Sequence, residues 1–119
     1  MAKSRLRRAL SAWANHEDQH ARDMRASHAA PDVQTIDNVP LRTPVRLRGT
    51  LRTVTLRPRG GVPALEAELY DGTGAITLLW LGRRRICGIN PGRSLQVSGR
   101  IGVHDRTWIM FNPRYELMP

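Results

Sequence analysis

The sequence predicts an all-β fold, a five-stranded Greek-key barrel behind an N-terminal α-helical extension. Three observations carry this. The hydrophobic period changes from helical to two near Pro44; turn signals then cut the remainder into five runs of strand length; and one cysteine in 119 residues leaves no disulfide or cysteine-rich zinc framework to replace a core. The length suits a single domain with a short appendage, and 40% hydrophobic content suits a small core.

Residues 1–28 form the extension. Between Ser4 and His28 there is no proline or glycine, and Leu6, Leu10 and Trp13 fall at i, i+4, i+7, as on an amphipathic helix. Asn15 ahead of Glu17 and Asp18 is an internal N-cap signal that allows two short helices. Arg5, Arg7 and Arg8 oppose the helix dipole, so fraying or dependence on a partner is expected. Residues 29–43, with Pro31 and Pro40, read as a linker.

Residues 44–117 form the β domain. Val45, Leu47, Leu51, Val54 and Leu56 interleave with arginines and threonines, and a phase slip near Arg52–Thr53 predicts a long first strand with a bulge. A Pro-, Arg- and Gly-rich loop, 57–63, precedes a strand over 64–70. Asp71-Gly72-Thr73-Gly74 then turns the chain into a strand over 75–81, so the second and third strands form a hairpin. Residues 82–94 leave room for one or two helical turns. Strands over 95–103 and 107–112 flank the turn His104-Asp105-Arg106. Five strands with a long bent first member and a linking segment between the third and fourth describe an oligonucleotide/oligosaccharide-binding (OB) barrel.

The runs Val45-Arg-Leu-Arg-Gly-Thr, Glu68-Leu-Tyr-Asp-Gly-Thr-Gly-Ala-Ile-Thr-Leu, Pro91-Gly-Arg-Ser-Leu-Gln-Val-Ser-Gly-Arg and Phe111-Asn-Pro-Arg-Tyr-Glu-Leu carry a resemblance. The chain resembles the nucleic-acid-binding OB family, which includes the anticodon-binding domains of class II aminoacyl-tRNA synthetases and the wedge domain of RecG-type helicases. Within it the sequence is most similar to small stand-alone actinobacterial OB proteins. The resemblance covers residues 44–117, implies binding without chemistry, and leaves residues 1–40 unexplained.

Charge points the same way. Nineteen Lys+Arg face ten Asp+Glu, a formal +9. Residues 1–40 are nearly neutral, whereas from Leu41 onward thirteen arginines face five acids. Guanidinium groups pair phosphate through a planar fork and stack on bases, which favours nucleic acid as partner. The ligand face of an OB barrel lies across strands two and three, between the first-to-second and fourth-to-fifth strand loops. Arg57 and Arg59, the run Arg83, Arg84 and Arg85, and Arg106 are expected to rim that groove, with Arg46, Arg48 and Arg52 extending it along strand one. Tyr70 is the expected stacking residue, Trp80 a core residue, and one of Trp108 and Phe111 should be exposed; Trp108 is carried as a binding candidate. Glu66 and Glu68 fall on the ligand face, where they orient arginines or repel phosphate. Six aromatics are few, so binding is expected to be electrostatic and weakly sequence-selective.

Other chemistries find little support. His16-Glu17-Asp18-Gln19-His20 fits the zinc-peptidase pattern, but its flanks are polar and no catalytic lobe follows. There is no phosphate-binding glycine loop or nucleophile elbow, and Cys87 reads as a small buried hydrophobe. The expectation is a cytoplasmic binding protein without cofactor, metal or enzymatic activity, whose ligand is single-stranded or branched DNA, or RNA, in repair, replication or translation. The other reading is a protein-interaction module that uses the OB barrel and the N-terminal amphipathic helix, the helix docking on a partner or pairing with itself. No apolar run approaches the ~18–20 residues of a membrane span.

Overall fold

A computed structural model describes the backbone of residues 2–119 and the side chains of residues 10–119. The expectations for Leu6, Arg5, Arg7 and Arg8 lie outside the described side chains. One helix, α1 (Ala2–His28), is followed by a 3-10 turn at Ile36–Asn38 and six strands: β1 (Pro44–Leu56), β2 (Ala64–Tyr70), β3 (Ala75–Leu81), β4 (Ser94–His104), β5 (Thr107–Phe111) and β6 (Arg114–Leu117).

Alternation builds the core. Val45, Leu47 and Leu51 of β1 are buried while Arg46 and Arg52 point out. The extra residue sits where the phase slip predicts: Leu51 pairs with Leu69 and Thr53 with Glu68, leaving Arg52 as the bulge. Beyond it the inward phase changes, so Val54 rather than Thr53 packs against the core. β2 contributes Leu65, Ala67 and Leu69, β3 contributes Ile76, Leu78 and Trp80, and β4 and β5 add Leu95, Val97, Ile101 and Met110. Trp80 is a core residue as expected; its indole N–H donates to the Pro113 carbonyl at 3.1 Å, and Tyr115 meets it edge-on.

The fold class departs from the sequence expectation. This is a mixed, mostly-β domain whose six strands form one sheet in the order β1-β2-β3-β5-β4-β6. A further β1–β4 pairing returns the order on itself, but this ring of bonds is not the five-stranded barrel expected. β1 changes partner midway, pairing with β4 over Pro44–Thr50 and with β2 over Thr50–Leu56. The parallel β3–β5 contact spans only Thr77–Leu79 against Ile109–Phe111, and β6 adds a strand to the flank of β4.

Two segments behave unlike their sequence reading. The extension is one continuous helix with no break at Asn15. Within residues 29–43, Ile36 and Val39 join the main core, because the Ile36 N–H donates to the buried Asp71 carboxylate at 2.9 Å. Residues 82–94 contain turns and no helix; Ile86 and Ile89 are buried, whereas Cys87 is exposed, contrary to its reading as a buried hydrophobe.

Ala21, Met24 and His28 lie at i, i+3, i+7 on the half-buried side of α1, which rests on the turn between β2 and β3. His28 Nε2 lies 3.0 Å from the Thr50 hydroxyl, while its buried Nδ1 has no hydrogen-bond partner among the described residues. Burial pushes the imidazole below its ordinary pKa; Asp71 opposes this and Arg48 adds to it. The folded protein therefore holds fewer protons at this site than the unfolded chain. This stabilisation is complete above the unfolded value of about 6.5 and is lost as pH falls through it towards the lower folded value. Thermal melts should show Tm falling between about pH 7.5 and 5.5, and His28→Gln should flatten that dependence; an unchanged slope would contradict a buried neutral imidazole.

Candidate nucleic-acid interface

The hairpin of β2 and β3 presents one outward surface. Glu66, Glu68 and Thr77 face away from the core there, joined by Thr53 after the β1 bulge and by Thr107 of β5. With Arg57 these residues line an open groove of about 280 Å³. Its two ends are loops. At one, Arg59 and Val62 exchange N–H···O bonds of 2.8 and 2.9 Å across Gly60-Gly61, both with positive φ. The Gly82 N–H donates to the Pro63 carbonyl at 2.7 Å, which starts the exposed run Arg83-Arg84-Arg85 at that same end. At the other, Asp105 and Arg106 take left-handed conformations in a two-residue hairpin closed by His104 and Thr107.

Carboxylates already hold part of this arginine set. Arg52 Nε meets Glu68 at 2.6 Å, and Arg57 and Arg59 meet the two oxygens of Glu66 at 3.2 and 3.4 Å. These pairs are partly exposed, and each contributes at most about 1 kcal/mol, so they orient the guanidinium groups more than they lock them. Arg83, Arg84, Arg85 and Arg106 are exposed, with no carboxylate within 4.0 Å among the described residues.

The remaining predicted residues divide. Tyr70 does reach the outward surface, but its ring is engaged: the Arg52 guanidinium carbon lies 4.1 Å from the centroid, and the His20 ring stacks at 6.3 Å and 11°. A base stacking on the face that His20 holds would displace that imidazole. Arg46 and Arg48 are not brought to the groove, because the first half of β1 pairs with β4; Arg48 Nε donates to Gln96 at 2.9 Å. Trp108 is 36% exposed but shares the strand side of buried Met110. Phe111, 46% exposed, shares the groove side with Thr107 and Ile109, so both aromatics are exposed rather than one. Phe111 is the groove-side aromatic that sequence reasoning left open. Its phase was legible only once Ile109 could be placed opposite Thr77.

His16 and His20 are both exposed on α1, and among the described residues no group of three or more His, Cys, Asp or Glu is placed to hold a metal ion. Among the described residues, no helix is long and apolar enough to cross a membrane.

No protein-family model matches this chain. A comparison with curated protein sequences finds no match either. Solved structures do match. One chain of a replication protein A heterotrimer bound to ssDNA aligns over 77% of this chain and 70% of its own length, with TM-score 0.53 and 15% identity. RecG bound to a three-way DNA junction aligns over 64% of this chain, with TM-score 0.51 and 20% identity; the match spans only 11% of RecG. These are likenesses of fold alone. They do not reach the small stand-alone actinobacterial proteins.

Proposed function

We propose that this protein binds single-stranded or branched nucleic acid through its phosphates, with little sequence preference and no accompanying chemistry. The observation that carries the reading is that three separate arginine-bearing segments, 57–59, 83–85 and 106, stand at the two ends of one groove lined by threonines, Glu66 and Glu68. The fold likeness to two DNA-bound proteins supports it. Engagement of Tyr70 by Arg52 and His20 leaves little free ring surface for bases, so electrostatics dominates.

The test is a titration of labelled oligo-dT, duplex, forked DNA and tRNA at two salt concentrations. If about 4–6 phosphates are contacted, the log–log salt slope for single strands is about −3 to −4. Absence of binding at low salt overturns the reading.

A second reading has its own observation. Leu10 and Trp13 are 57% and 65% exposed on α1, where the face that carries Ala21, Met24 and His28 continues towards the N-terminus. An interaction module would use that face. Light scattering that reports self-association of the wild type, abolished in Trp13→Ala, would favour it.

A further inference from the structure

The arginines that the groove does not collect share another surface. Across β1, β4 and β6 the register sets Arg46 opposite Ser98 and Ser98 opposite Arg114. Two strand spacings of about 4.8 Å place the Arg46 and Arg114 backbones about 10 Å apart. Arg48, bonded to Gln96, stands two residues along β1, and Arg100 two residues along β4. Alternation turns all four outward, since Val45, Leu47, Leu95 and Val97 between them are buried. A bond of 2.9 Å from the Arg42 N–H to the Ile101 carbonyl seats a fifth exposed arginine beside Arg100.

Two features set this face apart from the groove. None of its arginines has a carboxylate within 4.0 Å among the described residues, whereas Arg52, Arg57 and Arg59 all do. It is also concave: an open hollow of about 550 Å³ beside Arg46 and Ser98 adjoins one of about 110 Å³ between Ser98 and Arg114, and a third of about 230 Å³ lies at Arg48 and Gln96. The only aromatic of β6, Tyr115, is directed at Trp80. The surface therefore offers guanidinium and polar groups, with Tyr115, 41% exposed but edge-on to Trp80, as the aromatic of β6.

We infer that the outward face of β1, β4 and β6 is a second phosphate-binding surface, which takes the sugar–phosphate backbone of a nucleic-acid strand on Arg46, Arg48, Arg100 and Arg114. The inference rests on the reading of the chain as a nucleic-acid binder and adds a site separate from the groove between the loops. Two carboxylates work against the surface: Glu116, opposite Gln96 at an outward position of β6, and Asp32, which lines the hollow beside Arg46.

The test compares full-length wild type with Arg46→Gln/Arg100→Gln/Arg114→Gln, the groove counterpart Arg57→Gln/Arg59→Gln/Arg106→Gln, and Glu116→Gln. Each is titrated with oligo-dT and oligo-rU of equal length over a range of salt. The two triple variants lose the same formal charge, so a bulk charge effect would weaken both alike. The first triple should lose at least about tenfold in affinity at low salt, and its salt slope should fall by about 2, three contacts at roughly 0.7 each. Glu116→Gln should bind about two- to threefold tighter, a gain that misfolding cannot produce. Should the triple variant melt early, Glu116→Gln decides: a gain supports the site and unchanged binding overturns it. If the groove triple weakens while the first triple stays within twofold of wild type, the second surface is wrong and the nucleic-acid reading stands. If wild type binds neither oligonucleotide at low salt, the reading itself has failed.

Discussion

Asp71→Ala is expected to cost the fold about 3–5 kcal/mol, enough to lower Tm by on the order of 10–20 °C. The side chain is buried and accepts from four directions. Its Oδ1 takes the Thr73 N–H at 2.9 Å, the Thr73 hydroxyl at 2.7 Å and the Gly74 N–H at 3.2 Å, while Oδ2 takes the Ile36 N–H at 2.9 Å. One carboxylate thus shapes the β2–β3 turn and ties the segment before β1 to it. Alanine leaves the Ile36 amide without its acceptor inside the core, and a stranded buried donor costs about 1–3 kcal/mol on its own. The turn loses its side-chain acceptor as well. Asp71→Asn should fall between the two proteins: its carbonyl can serve the turn, but its amide then faces the Ile36 N–H, donor against donor. Denaturant melts with hydrogen exchange at Ile36 check this. A loss below about 1 kcal/mol in Asp71→Ala would mean that the Ile36 segment does not depend on the turn.

That tie is also where the sequence stops being readable. β2 and β3 were legible to the residue, and the bulge at Arg52 was visible as a phase slip, because alternation and turn chemistry are local properties. Ile36 and Val39 looked like linker, since nothing nearby in sequence shows that Asp71, 35 residues on, accepts the Ile36 N–H. β6 was missed for a related reason. Arg114-Tyr-Glu-Leu is too short to display a period, and only pairing with Leu95–Ser98 makes it a strand. The arginine set divides along the same line. Composition and alternation identified which arginines point outward, but whether they share a groove depends on which partner each half of β1 takes. Arg46 and Arg48 precede the change of partner and fall on the β4 side. Arg52 and Arg57 follow it and meet Glu68 and Glu66. The prediction of a closed barrel failed at the same level: strand count and order along the chain are local readings, whereas ring closure is decided by the extent of each pairing.

Gly72→Ala should release α1 from the sheet while the sheet itself stays folded. Gly72 has φ +91°, a conformation costing an alanine about 1–2 kcal/mol before any contact is considered. A Cβ there would also collide with the Ala21 carbonyl oxygen and lie 2.8 Å from the Arg25 nitrogen. Both are helix backbone atoms, which cannot turn aside as a side chain can. Something larger must move. The turn is fixed by the bonds to Asp71, whereas α1 holds the sheet through few groups: Met24 and His28 around the Thr50 hydroxyl, and His20 on Tyr70. The helix is therefore the element that yields, at a total cost of about 2–4 kcal/mol. Hydrogen exchange should accelerate across residues 20–28 and stay slow in β2 and β3, and the pH dependence assigned to His28 should vanish once that imidazole reaches water. The ring of Tyr70 would lose its His20 neighbour, so affinity for single strands should rise relative to duplex if bases stack there. Unchanged exchange over residues 20–28 would show that α1 does not bear on the turn through Gly72.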